Sequence, residues 1–203
     1  MEKLSRSEQK RLDIHKAALA EFKEKSFAGA SMDAIAERAA VSKRTVYNHF
    51  ESKEALFQAV TESFWQLSKD VTNVEYDPAT DIVVQLENIT EAMWQLYSQA
   101  DFIEKARVLL AEYIRQPQLI EQMIHQVSEK EKGLSRFLAQ AHQAGVLQID
   151  DLRMAETQFW GLCKAFAFWP VVFQMHDYSE QRAQIIRTNV QMFVCQYRGC
   201  AEK

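Results

Sequence analysis

The sequence predicts an all-α protein of nine helices, and three observations carry that expectation. Its 203 residues include only five Gly and three Pro, which leaves few places for short strands to reverse direction. Apolar residues recur at intervals of three and four along most of the chain, the spacing that gathers them on one helix face. The 47% hydrophobic content supplies a substantial core and excludes a disordered chain.

The first helix is expected over about residues 7–25, with Ile14, Ala18, Leu19 and Phe22 as its apolar stripe. Ser31 is a natural N-cap for a second helix at about 32–39, whose Ile35, Ala36 and Ala39 turn inward. After a turn at Ala40-Val41, Ser42 caps a third helix at about 43–49. Ser52 caps a fourth beginning near Lys53, with the stripe Leu56, Val60, Phe64 and Leu67, and with Glu54 near its positive end. NVEYDPATD is the clearest loop in the middle of the chain. A fifth helix follows at about 79–98 and a sixth at about 101–115. The seventh, about 117–143, starts at Pro117 and stops at Gly145. The eighth covers about 151–170 and the ninth about 179–197.

Charge is unevenly distributed. The chain carries a net charge of −4, but residues 1–53 hold 11 Lys+Arg against 8 Asp+Glu, a balance of +3, and the rest holds −7. A basic head on an acidic body suits a protein that presents one end to a polyanion. The polar opening MEKLSRSEQKRLD is unlike a signal peptide. The apolar segment AFAFWPVVF is too short to span a bilayer. Three cysteines without CxxC spacing argue against a disulfide framework. A cytoplasmic chain with reduced thiols and no membrane association is expected.

The stretch SMDAIAERAAVSKRTVYNHFESKEALF, residues 31–57, carries the functional signal. Two short helices joined by a tight turn, with Ile35, Ala36, Ala39, Val41, Val46 and Phe50 inward, form the pattern of a helix-turn-helix. The outward face of its second helix then holds Lys43, Arg44, Thr45, Tyr47, Asn48 and His49. Lys and Arg pair with guanine acceptors, and Thr offers a methyl to thymine. Tyr47, His49 and Lys53 suit phosphates, and Ser31 with the free amides behind it suits another. On pattern alone, a merely solvated polar helix is the competing reading.

AIAERAAVSKRTVYNHFESKEALF, preceded by AALAEFKEKSF, resembles the N-terminal domain of TetR/AcrR-type regulators over about residues 10–60. The resemblance implies a nine-helix homodimer. Its helix-turn-helix domain would occupy residues 1–52, and a ligand-binding and dimerisation domain residues 53–203. It also implies that Lys43 and Arg44 face bases while Thr45, Tyr47, His49 and Lys53 contact the DNA backbone. Two positions depart from the family pattern. Ala40 stands where the family usually has Gly, and Arg44 where many members carry a small residue.

Residues 60–200 resemble the family in helix count and length, with features of its AefR-like branch. In the family such a region encloses a small effector. Trp65, Trp94, Phe102, Tyr113, Met123, Phe159, Trp160 and Phe166 are the candidates to line a pocket, with plain core packing as the alternative for each. The eighth helix is apolar on two faces, Phe159/Cys163/Phe166 and Trp160/Ala167/Val171. The ninth is similar, with Ile186, Val190, Phe193, Val194 and Tyr197 on one side and Ile185 and Met192 on the other. Such helices need cover on both sides, from a partner subunit or from a central position in a monomer.

Other chemistry is not indicated. Glu121 and His125 lie one turn apart, but no second pair completes a metal site. Cys163 reads as a packed thiol, while Cys195 and Cys200 near the C-terminus leave a redox role open. No nucleophile–base constellation, HExxH motif or phosphate-cradling glycine loop is present, so neither an enzyme nor a cofactor is expected. The functional expectation is a repressor released from a palindromic operator by a small-molecule effector. The alternative is an effector-independent DNA-binding structural or division factor whose C-terminal half docks a protein partner.

Overall fold

The computed structural model describes residues 5–116 and 133–198, and among these there are ten α-helical segments, one short 3-10 turn and no strand. The helices are α1 (Arg6–Gly29), α2 (Met32–Arg38), α3 (Lys43–His49), α4 (Lys53–Thr72), α5 (Ile82–Tyr97) and α6 (Ala100–Arg115). They continue with α7 (Gly133–Gln143), α8 (Leu152–Ala167), α9 (Trp169–Val172) and α10 (Arg182–Tyr197), the 3-10 turn Ser179–Gln181 preceding α10. The start expected for the seventh helix at Pro117 lies outside the described residues.

Polar caps set the helix starts. Ser5 and Glu8 form a reciprocal capping box at α1, with Glu8 Oε2 accepting from the Ser5 amide at 2.8 Å. Ser31, Ser42 and Ser52 accept from the amides of Ala34, Thr45 and Ala55, each at 3.1 Å, as expected from the sequence. Asp81 and Asp151 do the same for α5 and α8. In the loop before α5, the Gln85 side chain accepts from the Asp77 amide and donates to the Asp77 and Thr80 carbonyls.

The helix expected over 151–170 is two. Pro170 has no amide to continue the α8 ladder and its ring crowds the carbonyl four residues back. The chain therefore bends at Phe168 (φ −107°, ψ −60°) and restarts as α9. The two-faced reading of this segment changes with it. Ala155, Phe159, Cys163 and Ala167 share one buried face at four-residue spacing, so Ala167 belongs with Phe159 rather than opposite it. Trp160 and Phe166 are half-buried, and Val171 is exposed on α9.

The chain forms two compact units. One holds residues up to Gln66 with the segment beginning at Glu104; the other holds Leu67–Ile103 with the C-terminal helices. In the first, α2 packs on α1 and α3 on α2, burying Ile14, Ala18, Phe22, Ile35, Val46 and Leu56. In the second, α8 packs against α5, α7, α9 and α10, and α10 also packs on α5. Its core includes Leu86, Phe137, Leu138, Phe159, Val190 and Phe193. On α10, Ile186, Val190, Phe193 and Val194 are buried, Ile185 and Tyr197 are half-buried, and Met192 is exposed.

Three helices end on the same cap, in which a residue of positive φ lets two amides turn back to the last carbonyls. At α7 that residue is Gly145 (φ 71°), with Gly145 and Val146 amides donating to His142 and Ala141. At α9 it is Gln174 (φ 54°). At α2 it is Ala40 (φ 53°), with the Ala40 amide donating to Glu37 at 3.0 Å and the Val41 amide to Ala36 at 3.1 Å. A Cβ in this region costs about 1 kcal/mol relative to glycine. Ala40→Gly is therefore expected to stabilise the protein by about 1 kcal/mol, a rise of roughly 2–4 °C in melting temperature for a chain of this size. Calorimetry of the two proteins checks this; an unchanged or lower melting temperature would mean the turn relaxes away from positive φ.

Candidate DNA-binding interface

The α2–turn–α3 unit presents a polar face because its apolar residues are used inward. Val46 is fully buried and Phe50 nearly so. Lys43, Arg44, Tyr47 and Asn48 are consequently exposed, while Thr45 and His49 are half-buried. Tyr47 retains 45% of its surface, large for an aromatic residue on a helix this small. Ser31 is exposed at the start of α2, where its oxygen caps Ala34 and its O–H remains able to donate. Ser42 and Thr45 hydroxyls lie 2.8 Å apart.

Several of the cations already have protein partners. Lys43 Nζ lies 2.8 Å and 3.0 Å from the two carboxylate oxygens of Asp33 on α2; the hydrogen bond and charge of Asp33 raise the Lys43 pKa above its ordinary value. Lys53 Nζ donates to the carbonyls of Ala30 at 3.0 Å and Ala28 at 3.4 Å, and sits 4.7 Å from the Phe27 ring centre. It is half-buried and closes the α1–α2 link. Arg11 on α1 lies over the Phe50 ring at 4.6 Å and donates to the His49 carbonyl at 3.5 Å. That places a cation at the negative end of α3. A cleft of about 440 Å³ opens beside it, lined among others by Arg11, Tyr47, Asn48, His49 and Glu51.

Two buried carboxylates that sequence reasoning missed hold this head together. Glu21 on α1 is 1% exposed and lies 3.3 Å from Arg38 of α2, which also binds Glu24 at 2.6 Å. Glu112 on α6 is equally buried. Its Oε1 accepts from the Phe27 amide at 3.1 Å and from Arg115 at 2.7 Å. The Phe27 amide is available because Ser26 leaves the helical conformation (φ 61°, ψ 169°), kinking the end of α1. The kink seats the Phe27 ring against Phe22 and Phe57, at 5.7 Å and 5.1 Å. The one sequence signal for Glu112 is an acid inside the otherwise apolar face Val108, Leu109 and Tyr113.

The residues proposed to line a pocket are distributed over several clusters. Trp65 and Tyr113 belong to the first unit, where Trp65 meets Phe64 at 5.2 Å and burial raises the Tyr113 phenol pKa. Trp94, Phe102, Phe159, Trp160 and Phe166 lie in the second unit. Trp94 is buried on α5. Phe102 packs with Tyr97 and Phe168, Phe159 with Trp160 and Phe193, and Phe166 with Tyr178. Met123 lies outside the described residues, as do Glu121, His125 and Cys200. Among the described residues no group of His, Cys, Asp or Glu gathers with metal-binding geometry. Burial pushes the Cys163 thiol up to about 12, the mark of an unreactive packed sulfur.

Residues 14–60 match the family model described as bacterial regulatory proteins of the tetR family. Residues 84–199, more than half the chain, match the C-terminal domain of AefR-like transcriptional repressors. The chain belongs to the TetR family. The regulator UidR of Escherichia coli (strain K12) is 31% identical over 146 residues, 69% of this chain and 70% of UidR. A TetR-family regulator from Pseudomonas syringae pv. tomato superposes with a TM-score of 0.78 at 34% identity, covering 93% of this chain and 97% of its own. The flavonoid-responsive regulator FrrA superposes with a TM-score of 0.77 at 27% identity, over 96% of this chain and all of FrrA. This TetR-family protein is thus a DNA-binding transcriptional regulator with an N-terminal helix-turn-helix and a C-terminal helical domain.

The buried carboxylate of α6 gives a test of how this TetR-family head is assembled. Glu112→Ala removes the acceptor of the Phe27 amide and leaves that part-buried group without it, a loss of at most about 1–3 kcal/mol. Urea denaturation is expected to show a loss in that range with an unchanged slope. A midpoint equal to the parent's would mean that the kinked link finds another acceptor.

Proposed function

We propose that this TetR-family protein is a homodimeric repressor that occupies a palindromic operator and leaves it when a small molecule binds its C-terminal domain. The observation that carries the DNA part is the exposed polar face of α3, with Lys43, Arg44, Tyr47 and Asn48 turned outward by the burial of Val46 and Phe50. An α-helix fits the major groove, and its N-terminal residues reach base edges. In this reading Lys43 and Arg44 read bases. Ser31, Thr45, Tyr47 and His49 hold the backbone, and Asn48 serves either purpose. Lys53 acts at one remove, by fixing the link that carries Ser31.

Dimerisation through α8 and α10 fits their exposed faces. Met154, Gly161 and Ala165 lie on the open side of α8, and Thr188, Met192 and Cys195 on that of α10. Close approach of two helix pairs is easiest over such small and flexible side chains. A twofold dimer would then set two recognition helices about one DNA turn apart, roughly 34–36 Å. A small-molecule effector is supported by the flavonoid response of the similar regulator FrrA and by the aromatic content of the C-terminal domain. The effector must favour one of two conformers, since equal affinity for both shifts nothing. The chain passes between the two units within α4 and within α6, which makes those helices the natural carriers of the shift. No helix among the described residues is long and apolar enough to cross a membrane.

Selection of bound duplexes from a random DNA pool tests the reading. A palindrome bound by two chains, with affinity falling steeply as salt rises, is the expected result. On that duplex Tyr47→Ala is expected to weaken binding to every sequence alike, while Lys43→Ala and Arg44→Ala also blur base preference at defined positions, each matched base being worth about 1–3 kcal/mol. Enrichment of no sequence, or full binding by all three variants, would refute the placement of α3 in the groove.

A further inference from the structure

We infer that Asp33 is a specificity-determining residue, which cancels the attraction of Lys43 for phosphates and leaves its remaining N–H groups to read a base edge. The inference rests on α3 occupying the major groove and adds a role for a residue on the preceding helix.

Lys43 is the first residue of α3, and Asp33 lies in the first turn of α2. Both side chains are well exposed, at 60% and 65%, so their pairing is not forced by burial. The ammonium approaches both carboxylate oxygens, at 2.8 Å and 3.0 Å. An ammonium has three N–H donors and no acceptor. One N–H shared between the two oxygens accounts for both distances, so two N–H remain, and their directions are set by the pair rather than by a free four-carbon stem.

The electrostatic consequence differs between two kinds of DNA complex. A non-specific complex is held by cations on phosphates. There the pair is nearly neutral, and Lys43 contributes only by leaving a carboxylate for a phosphate, one anion exchanged for another. In an operator complex Lys43 meets the N7 and O6 acceptors of a guanine. It can donate its remaining N–H groups there without leaving Asp33. Asp33 therefore weakens binding to wrong sequences more than to the right one, a discrimination obtained by penalising the competitor. Arg44, the next residue, is likewise exposed and leaves the head its long-range attraction for the duplex.

The test is the ratio of affinities for the selected operator and for a random duplex of equal length, measured across a salt series with the full-length protein. Asp33→Asn is a surface change and is expected to leave the fold intact. Binding to the random duplex is expected to tighten about two- to fivefold, the range spanned by exposed ion pairs. Its log–log salt slope is expected to steepen by about one phosphate contact, near 0.9. Operator affinity is expected to stay level or fall, so that the specificity ratio drops. Glu37→Gln removes the same charge elsewhere on α2, and is expected to shift both duplexes by one common factor. In a Lys43→Ala background, Asp33→Asn is expected to lose its effect on the ratio. Equal tightening on both duplexes by Asp33→Asn would overturn the inference and reduce Asp33 to a general repulsive charge. A ratio change that persists without Lys43 would overturn it as well. If Lys43→Ala alone alters neither affinity nor base preference, the contact between Lys43 and DNA fails, and this inference with it. Continued salt-dependent selection by such a variant would leave the wider DNA-binding reading standing.

Discussion

A seven-residue helix cannot hold itself in water, because nucleation costs more than so few hydrogen bonds return. The second helix of the helix-turn-helix, α3, has that length, and it has to be held from outside. Its start is tied by Ser42 to Thr45, its middle is pinned by Val46, and its end meets Arg11 over Phe50. The turn before it is closed by two amides folding back onto α2. Rigidity in the reader is therefore supplied by neighbours, and the neighbours must be fixed in turn. That is the work of the Phe22–Phe27–Phe57 cluster, of the Arg38 pairs, and of Glu112 and Lys53 on either side of the α1–α2 link. Buried carboxylates contribute little net stability when paired. Their value here is geometric, because a charged acceptor makes one backbone arrangement much better than its alternatives.

The parts of this head visible in the sequence are those whose cause is local. Ser31, Ser42 and Ser52 announce helix starts because a cap bonds an amide three residues on. Ile35, Val46 and Phe50 announce the inward face because the helical period is short. Gly145 announces a helix end. Causes that span the chain leave no such trace. The Ser26 kink is stabilised by an acceptor 85 residues away, and nothing around Ser26 foretells it. Ala40 shows the limit in the other direction: its φ of 53° belongs to a residue with a Cβ, and the same cap forms at Gln174 without glycine. Backbone bonds and packing around the turn outweigh about 1 kcal/mol of local strain.

The cations were the least legible feature. The sequence offers Lys43 to a base and Lys53 to a phosphate, and gives Arg11 no particular role. Their surroundings separate them. Lys53 is half-buried against Phe27 and spends its donors on two carbonyls; Arg11 stacks on Phe50; Lys43 faces Asp33. Counting charge over residues 1–53 therefore overstates what the head offers to a polyanion. On α3 the exposed Arg44 carries its charge outward beside the Lys43–Asp33 pair, which suits a protein that must search non-specifically yet stop selectively.

The C-terminal helices show how one apolar surplus can serve two ends. α8 and α10 carry more apolar residues than one core face requires. The structure sorts them by spacing, with Ala155, Phe159, Cys163 and Ala167 meeting Ile186, Val190, Phe193 and Val194 inside the domain. What stays outside is of a different kind: Gly161 and Ala165 are small, and Met154 and Met192 are unbranched and adaptable. A face built of large rings, were it unpartnered, would be costly in water and prone to indiscriminate association. A face of small and flexible residues is soluble alone and still yields close helix contact when a matching surface arrives.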